Sequence, residues 1–334
     1  MPRIILRTLL KMLLVTLGVF VAGVAGLALW AGSEIASPER RGLQDYHREF
    51  LDNPAAHGVG LASFALKDGT PCVMCAPHPG GKLGARGVKV REQLVQRGIT
   101  LAEPGKITGT LVLAHGRRGR KEDYLLIAER LCAAGFRCLL PDLPAHGDHP
   151  TAHAGYGVLE TELPARVLTE AAERFGFEPR PAGLLGISMG GSVVVHSAAQ
   201  ADAPWRALVV ISSFDSFTAV VEHQTSKLFG GWSGPAWARM AGAVYRVRSG
   251  VALTDIQPGR KAASLGMPAL IAHGSADRVV PVSAGRRLFD ALPDGIEKKW
   301  IEIPGADHDN VLITDFPIYT EVAEWMLRHV SGAE

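Results

Sequence analysis

Acid is missing from the start of this 334-residue chain: no Asp or Glu precedes Glu34, while Arg3, Arg7 and Lys11 carry the charge there. With those three cations set aside, 32 basic residues face 33 acidic ones, so the remainder has no excess of one sign. A nearly neutral body lacks the electrostatic footprint of a nucleic-acid binder, and no nucleic-acid partner is expected. Cysteine is scarce too, four in all, too few for a disulfide scaffold. Charged residues make up 20% against 47% hydrophobic, which excludes a disordered or coiled-coil chain. No internal repeat or low-complexity tract is present. Glycine is plentiful at 38 residues and points to many tight turns.

Charge is also absent from Met12 through Ser33, a run of 22 residues that is long enough to cross a bilayer as a helix. Cations before the run and Glu34 and Glu39 after it predict a cytoplasmic N-terminus and an extracytoplasmic body. The rival is a cleaved signal peptide, which would leave a secreted protein. Its apolar core should span only about 7–15 residues before a small-x-small site. This core is longer, and bulky Leu29 and Trp30 occupy the best-placed candidate positions. Residues 1–33 therefore read as a cytoplasmic tip and transmembrane signal anchor, 34–58 as a polar linker, and 59–332 as one folded domain.

Within that domain short apolar runs alternate with helical patterns. Strands are predicted at 61–66 and 72–76, joined by the turn Lys67-Asp68-Gly69-Thr70, and then at 109–114, 137–140, 182–187, 207–212, 269–272 and 299–303. Helices are predicted near 121–134, 158–175, 190–201, 281–292 and 315–330. Unbroken Val/Leu/Ile strands, each followed by a helix, indicate a mostly parallel sheet with helices on both faces. In such sheets sites form at the carboxyl ends of the strands.

The strongest chemical signal is Gly186-Ile187-Ser188-Met189-Gly190, a G-x-S-x-G between a strand and a helix. A serine on a sharp strand-to-helix turn is held in a strained conformation that lifts its hydroxyl above the sheet. The flanking glycines let backbone pass without a Cβ clash. Serine needs a base to take its proton and an acid to orient that base. His308, in the loop after the final strand, is the expected base. Asp277, in the loop after the penultimate strand, is the expected acid, with Asp215 as runner-up. Donors for a developing oxyanion are expected from the backbone N–H of Met189 and of Arg117, the latter in His115-Gly116-Arg117-Arg118-Gly119-Arg120. The Arg117 side chain is then left free, to steer anionic substrates or simply to be solvated.

The order Ser188, Asp277, His308, with His115-Gly116 before them and Asp142 to Gly147 (DLPAHG) between, resembles the α/β-hydrolase superfamily. The anchor and lead-in hairpin are similar to its membrane-anchored Bem46-like and serine aminopeptidase/monoglyceride-lipase-like members. The resemblance spans about residues 60–330. It implies an α/β-hydrolase fold with an eight-stranded, mostly parallel sheet and a serine hydrolase mechanism needing neither cofactor nor metal.

Residues 213–266 exceed what one crossover helix needs and carry Phe214, Phe217, Phe229, Trp232, Trp237, Met240 and Tyr245 between glycine hinges. They are expected either to form a lid and acyl-pocket wall or to bury these rings in ordinary core. Cys72 and Cys75 on one strand should point to opposite faces, against a shared metal or disulfide. Cys132 and Cys138 are close enough in sequence to pair, though buried reduced thiols are the simpler expectation. The expected activity is cleavage of carboxylic esters with an apolar acyl group, on a small ester or lipid-like substrate near the membrane. Amide hydrolysis, acyl transfer and a non-catalytic binding scaffold are the alternatives.

Overall fold

A computed structural model describes residues 2–331, with side chains from Ile5 onward. The side chain of Arg3, and residue 332 at the end of the expected domain, lie outside the described residues. The chain opens with one long helix, α1 (Pro2–Ala36), then a short α2 (Asp45–Asp52), then the hairpin β1 (Val59–Ala65) and β2 (Pro71–Pro77). Helix α3 (Ala85–Gln96) leads to β3 (Gly109–Ala114), α4 (Leu125–Ala133), β4 (Phe136–Pro141) and α5 (Leu163–Phe175). Next come β5 (Ala182–Ile187), α6 (Met189–Ala198) and β6 (Trp205–Ile211). The helices α7 (Phe217–Phe229), α8 (Gly234–Ser249) and α9 (Pro258–Ala262) intervene before β7 (Ala269–Gly274). The chain ends with α10 (Val282–Asp290), β8 (Lys298–Ile303) and α11 (Ile318–Val330).

The strands form one sheet of eight in the order β1-β2-β4-β3-β5-β6-β7-β8. Strand β2 runs antiparallel to both its neighbours, and all other pairs except β1·β2 and β2·β4 are parallel. Every residue of β3 and β7 is buried, as continuous apolar strands covered on both sides require. Alternation sorts their side chains: Val112 and Ala114 join the layer of α5, α6 and α10, while Leu111 and Leu113 join that of α4 and α11. The same rule separates Cys72 from Cys75, which fall in different layers. All four cysteines are buried and unpaired.

The glycine-rich connection between β2 and β3 holds α3, which the sequence did not suggest. Only Gly87, Val90 and Leu94 of its twelve residues are buried, a stripe too narrow to stand out among Arg, Lys and Gln. Gly87 lies against α4, where a Cβ would come within 2.7 Å of the Ala133 methyl.

The segment from Ile5 to Ala36 is long and apolar enough to cross a membrane, a property that a signal sequence shares. Its last third is docked. Val24 is half-buried, and Ala28, Gly32 and Ala36 are buried, a four-residue spacing that puts them on one face. Gly32 meets α8 so closely that a Cβ there would lie 2.5 Å from both the Ala241 carbonyl oxygen and the Val244 Cβ. The polar stretch that follows is packed as well. Arg40 donates to the carbonyls of Gly147, His149 and Thr151, and Arg41 pairs with Asp123 at 3.4 Å.

Candidate active site

The five residues from Gly186 to Gly190 turn from β5 into α6. Ser188 has φ 54° and ψ −117°, a backbone conformation that an L-residue keeps only when its surroundings enforce it. Three hydrogen bonds do so: Ser188 N–H donates to Ile211 O, Gly191 N–H donates to Ser188 O, and so does Ser213 Oγ at 2.8 Å. The glycines are sterically obligatory. A Cβ on Gly186 would lie 2.5 Å from the Gly190 carbonyl carbon, and one on Gly190 would lie 2.5 Å from that of Ala114 at the end of β3.

The three expected side chains converge. His308 Nε2 is 3.0 Å from Ser188 Oγ, and His308 Nδ1 is 2.7 Å from Asp277 Oδ2. With Nδ1–H donating a hydrogen bond to the carboxylate, Nε2 is left to accept from the serine hydroxyl. The other oxygen of Asp277 accepts the N–H groups of Val279 and Val280. Burial works to raise the Asp277 pKa, but hydrogen bonds from His273, His308 and the Val280 N–H outweigh it and hold the carboxyl below the ordinary range. Asp215 takes no part in this relay. Arg287 holds it at 2.9 and 3.0 Å instead.

His273 was not singled out by the sequence, which ends the predicted strand one residue before it; the structure places it inside β7. Its Nε2 is 2.9 Å from the Val280 carbonyl and 3.3 Å from Asp277 Oδ2, and its side chain is fully buried. It thus braces the turn that carries the acid from behind. The only hint in the sequence is its place four residues before Asp277.

The loop after β3 lies beside the elbow, with Gly116 facing the Ser188 Cβ. Met189 is the first residue of α6, so its N–H has no acceptor within the helix. Among the described residues, no hydrogen bond engages the Arg117 N–H. His115 anchors this loop. Its Nε2 accepts the Leu143 N–H at 3.0 Å, so its proton sits on Nδ1, which donates to Gly116 O. Burial lowers the pKa of His115 and brings that of the adjacent His146 to about 3, which leaves the His146 ring neutral. The DLPAHG motif is explained by Asp142, whose carboxylate accepts from Lys121 Nζ and from the N–H groups of Lys121 and Asp148. Gly147 sits at φ 48°, where a Cβ would strike that carboxylate.

The Arg117 side chain is neither free nor merely solvated. Its guanidinium donates to the backbone carbonyl of Glu34 at 2.9 Å and to the Glu34 carboxylate at 2.7 Å. Arg118 donates to the same carboxylate oxygen.

A cavity of about 540 Å³ opens over Ser188 and His308. Phe214, Phe217, Val220, Val280 and Leu312 give it an apolar wall, and Arg41, Arg118 and Asp123 a charged rim. The aromatic residues of the long insertion therefore split. Phe214 and Phe217 line the cavity, Tyr245 is core, Phe229 stacks on Trp237, and Trp232 is 92% exposed. A second groove, of about 570 Å³, lies beside α5 among Lys67, Arg166, Glu170 and Glu173, away from the relay.

Comparison with known proteins agrees with this architecture. An esterase of Pyrococcus furiosus superposes with a TM-score of 0.60 at 14% identity, covering 88% of this chain and 99% of its own. An acylaminoacyl peptidase of Pyrococcus horikoshii gives 0.57 at 13% identity over 88% of this chain and 45% of its own. A 2,6-dihydroxy-pseudo-oxynicotine hydrolase gives 0.54 at 17% identity over 81% and 68%. At these identities the likeness is one of fold. The sequence itself matches the alpha/beta hydrolase family over residues 111–319, a stretch from β3 into α11 that takes in the elbow and the loops of Asp277 and His308, and the chain belongs to that family.

Proposed function

We propose that this chain is a membrane-tethered serine hydrolase that cleaves carboxylic esters with an apolar acyl group. The observation that carries the reading is the unbroken relay from Ser188 Oγ through His308 to Asp277, at 3.0 and 2.7 Å, on a strained elbow. Ser188 Oγ attacks the ester carbonyl as His308 Nε2 takes its proton. Asp277 keeps the Nδ1 proton in place and stabilises the imidazolium. The carbonyl oxygen becomes an oxyanion that accepts from the N–H groups of Arg117 and Met189. Collapse of the tetrahedral intermediate expels the alkoxide, which takes the proton from His308, and leaves an acyl-Ser188. Water then attacks with His308 as base, and the carboxylic acid departs with Ser188 restored.

The apolar wall supports an acyl group without charge. Ile127, Ile187 and Leu312 line both this cavity and a small space of about 10 Å³ bounded also by Leu185 and Ile211, so the apolar surface extends beneath it. The docked apolar helix supports a body held against a bilayer.

A fluorophosphonate probe tests the nucleophile. It should label the wild-type protein and not Ser188→Ala, and labelling that survives the substitution would refute the assignment. A screen of p-nitrophenyl esters of graded length against aminoacyl arylamides tests the bond, and faster turnover of the amides would refute the ester reading. Carbonate extraction tests the tether: recovery of a shortened, soluble protein would refute it.

A further inference from the structure

We propose that Glu34, in the last turn of α1, is a positioning residue for the oxyanion loop, so that the apolar helix is a working part of the active site and not only its tether. The inference rests on the serine hydrolase reading above and assigns Glu34 a role in that site.

The loop from His115 to Arg120 carries three arginines in four positions, and two of them, Arg117 and Arg118, are adjacent. Side by side and unpaired, their guanidiniums would repel and swing outward. Arg118 also sits at φ 60°, a left-handed conformation costly for a residue with a Cβ. One group holds both. The Glu34 carboxylate receives Arg117 at 2.7 Å and Arg118 through the same oxygen, and the Glu34 carbonyl takes a further hydrogen bond from Arg117. A carboxylate and a carbonyl converging on one guanidinium fix its direction as well as its distance. The peptide N–H proposed to meet the oxyanion belongs to Arg117 itself, so clamping the side chain limits how far that N–H can rotate.

The clamp is useful only if Glu34 is itself immobile, and neighbouring bonds make it so. Tyr156 Oη donates to Ile35 O at 2.9 Å, the Ala154 N–H donates to Ala36 O, and Ser37 Oγ donates to Ala152 O. Arg248 reaches Ser33 Oγ from α8. Ser33, Ile35, Ala36 and Ser37, on either side of Glu34, are thus secured to the body, with Glu34 between them aimed at the loop. Both side chains are partly open to water, 23% for Glu34 and 32% for Arg117, so the pair gives direction more than raw stability.

The test uses the full-length enzyme in detergent with Glu34→Gln, Glu34→Asp and Glu34→Ala, each read for kcat, KM, thermal midpoint and fluorophosphonate labelling rate. Glu39→Gln serves as a control, since Glu39 is exposed five positions further on. Loosening one oxyanion donor without deleting it should lower kcat about tenfold in Glu34→Gln, with KM within about twofold and labelling slowed in step. Glu34→Asp keeps the charge and should recover part of the lost kcat, while Glu39→Gln should match wild type. The proposal fails if Glu34→Gln turns over at the wild-type rate, if its loss lies in KM, or if Glu34→Asp is no better than Gln in folded protein. It also fails if all three variants lose activity only in proportion to lost folded protein. Ser188→Ala separates the two readings: if it labels like wild type, the site assignment falls, whereas a labelled wild type with indifferent Glu34 variants sinks this inference alone.

Discussion

Replacing Gly190 by alanine should disable the site by pushing its two halves apart. The added Cβ would sit 2.5 Å from the Ala114 carbonyl carbon and 2.7 Å from the His115 carbonyl oxygen. Ordinary contact requires roughly 3.4 Å or more, and the Ala114 carbonyl oxygen lies nearer still, so α6 and the end of β3 must separate by at least about 1 Å. Neither neighbour is a flexible side chain that could swing away. Both are backbone, one in a fully buried strand and the other beginning the loop after β3. The serine moves with α6 while the Arg117 N–H stays with the loop, and a misplacement of about 1 Å costs on the order of 100-fold in rate. Overpacking of this kind should also cost about 1–3 kcal/mol of stability. Steady-state ester hydrolysis and a thermal melt on the same sample check both quantities. Wild-type kcat with a thermal midpoint within about 1 °C would refute the reasoning, since a domain this large should shift by about 2–4 °C per kcal/mol.

The remaining predictions concern the acid, a buried ion cluster and the helix contact. Asp277→Asn should reduce kcat by about three to four orders of magnitude with little change in KM, because the amide no longer accepts the Nδ1 proton. It should also flatten the acid limb of stability: a carboxyl held below its ordinary pKa stabilises the fold fully above about pH 4 and loses that contribution as pH falls. Melts between pH 7 and pH 3 should therefore drop less for Asn than for wild type. Lys121→Met leaves the fully buried Asp142 without its 2.7 Å ammonium partner and should cost about 3 kcal/mol or more, read as a lower urea midpoint. An unchanged midpoint would contradict the pairing. Gly32→Leu should pry α1 from α8 and cost about 1–3 kcal/mol, visible as faster proteolysis between residues 28 and 45. Wild-type resistance would count against the docked helix.

The fold was legible where it depends on local pattern. Strands such as Ala182–Ile187 and Ala269–Gly274 announce themselves as apolar runs, and the elbow does so because its steric demands admit only glycine at two fixed offsets. The relay was legible for a related reason. In a doubly covered parallel sheet, the loop after each strand opens on the same edge, so chain order alone brings Asp277 and His308 toward Ser188. What stayed hidden depends on distant partners. The Arg117 side chain looked free because its acceptor lies 83 residues away, in a helix whose apolar composition explains itself without any contact. His273 drew no attention because an imidazole buried behind a carboxylate leaves no periodicity. Helix α3 was obscured by the glycines before it and by a charged surface that hides three buried residues.

The uninterrupted passage from α1 into the folded body has a kinetic consequence. At 1.5 Å per residue, the 35 residues of α1 make a rod of about 50 Å whose far end is packed into the protein, leaving no swivel between them. On the membrane-bound reading, the mouth of the cavity then keeps a set height and facing above the leaflet. Encounter becomes a two-dimensional search, and turnover of a lipid ester should follow its mole fraction in the surface more closely than its amount per litre. Diluting such a substrate with inert detergent at constant total concentration should slow the enzyme, as free-floating catalysis on a soluble ester would not.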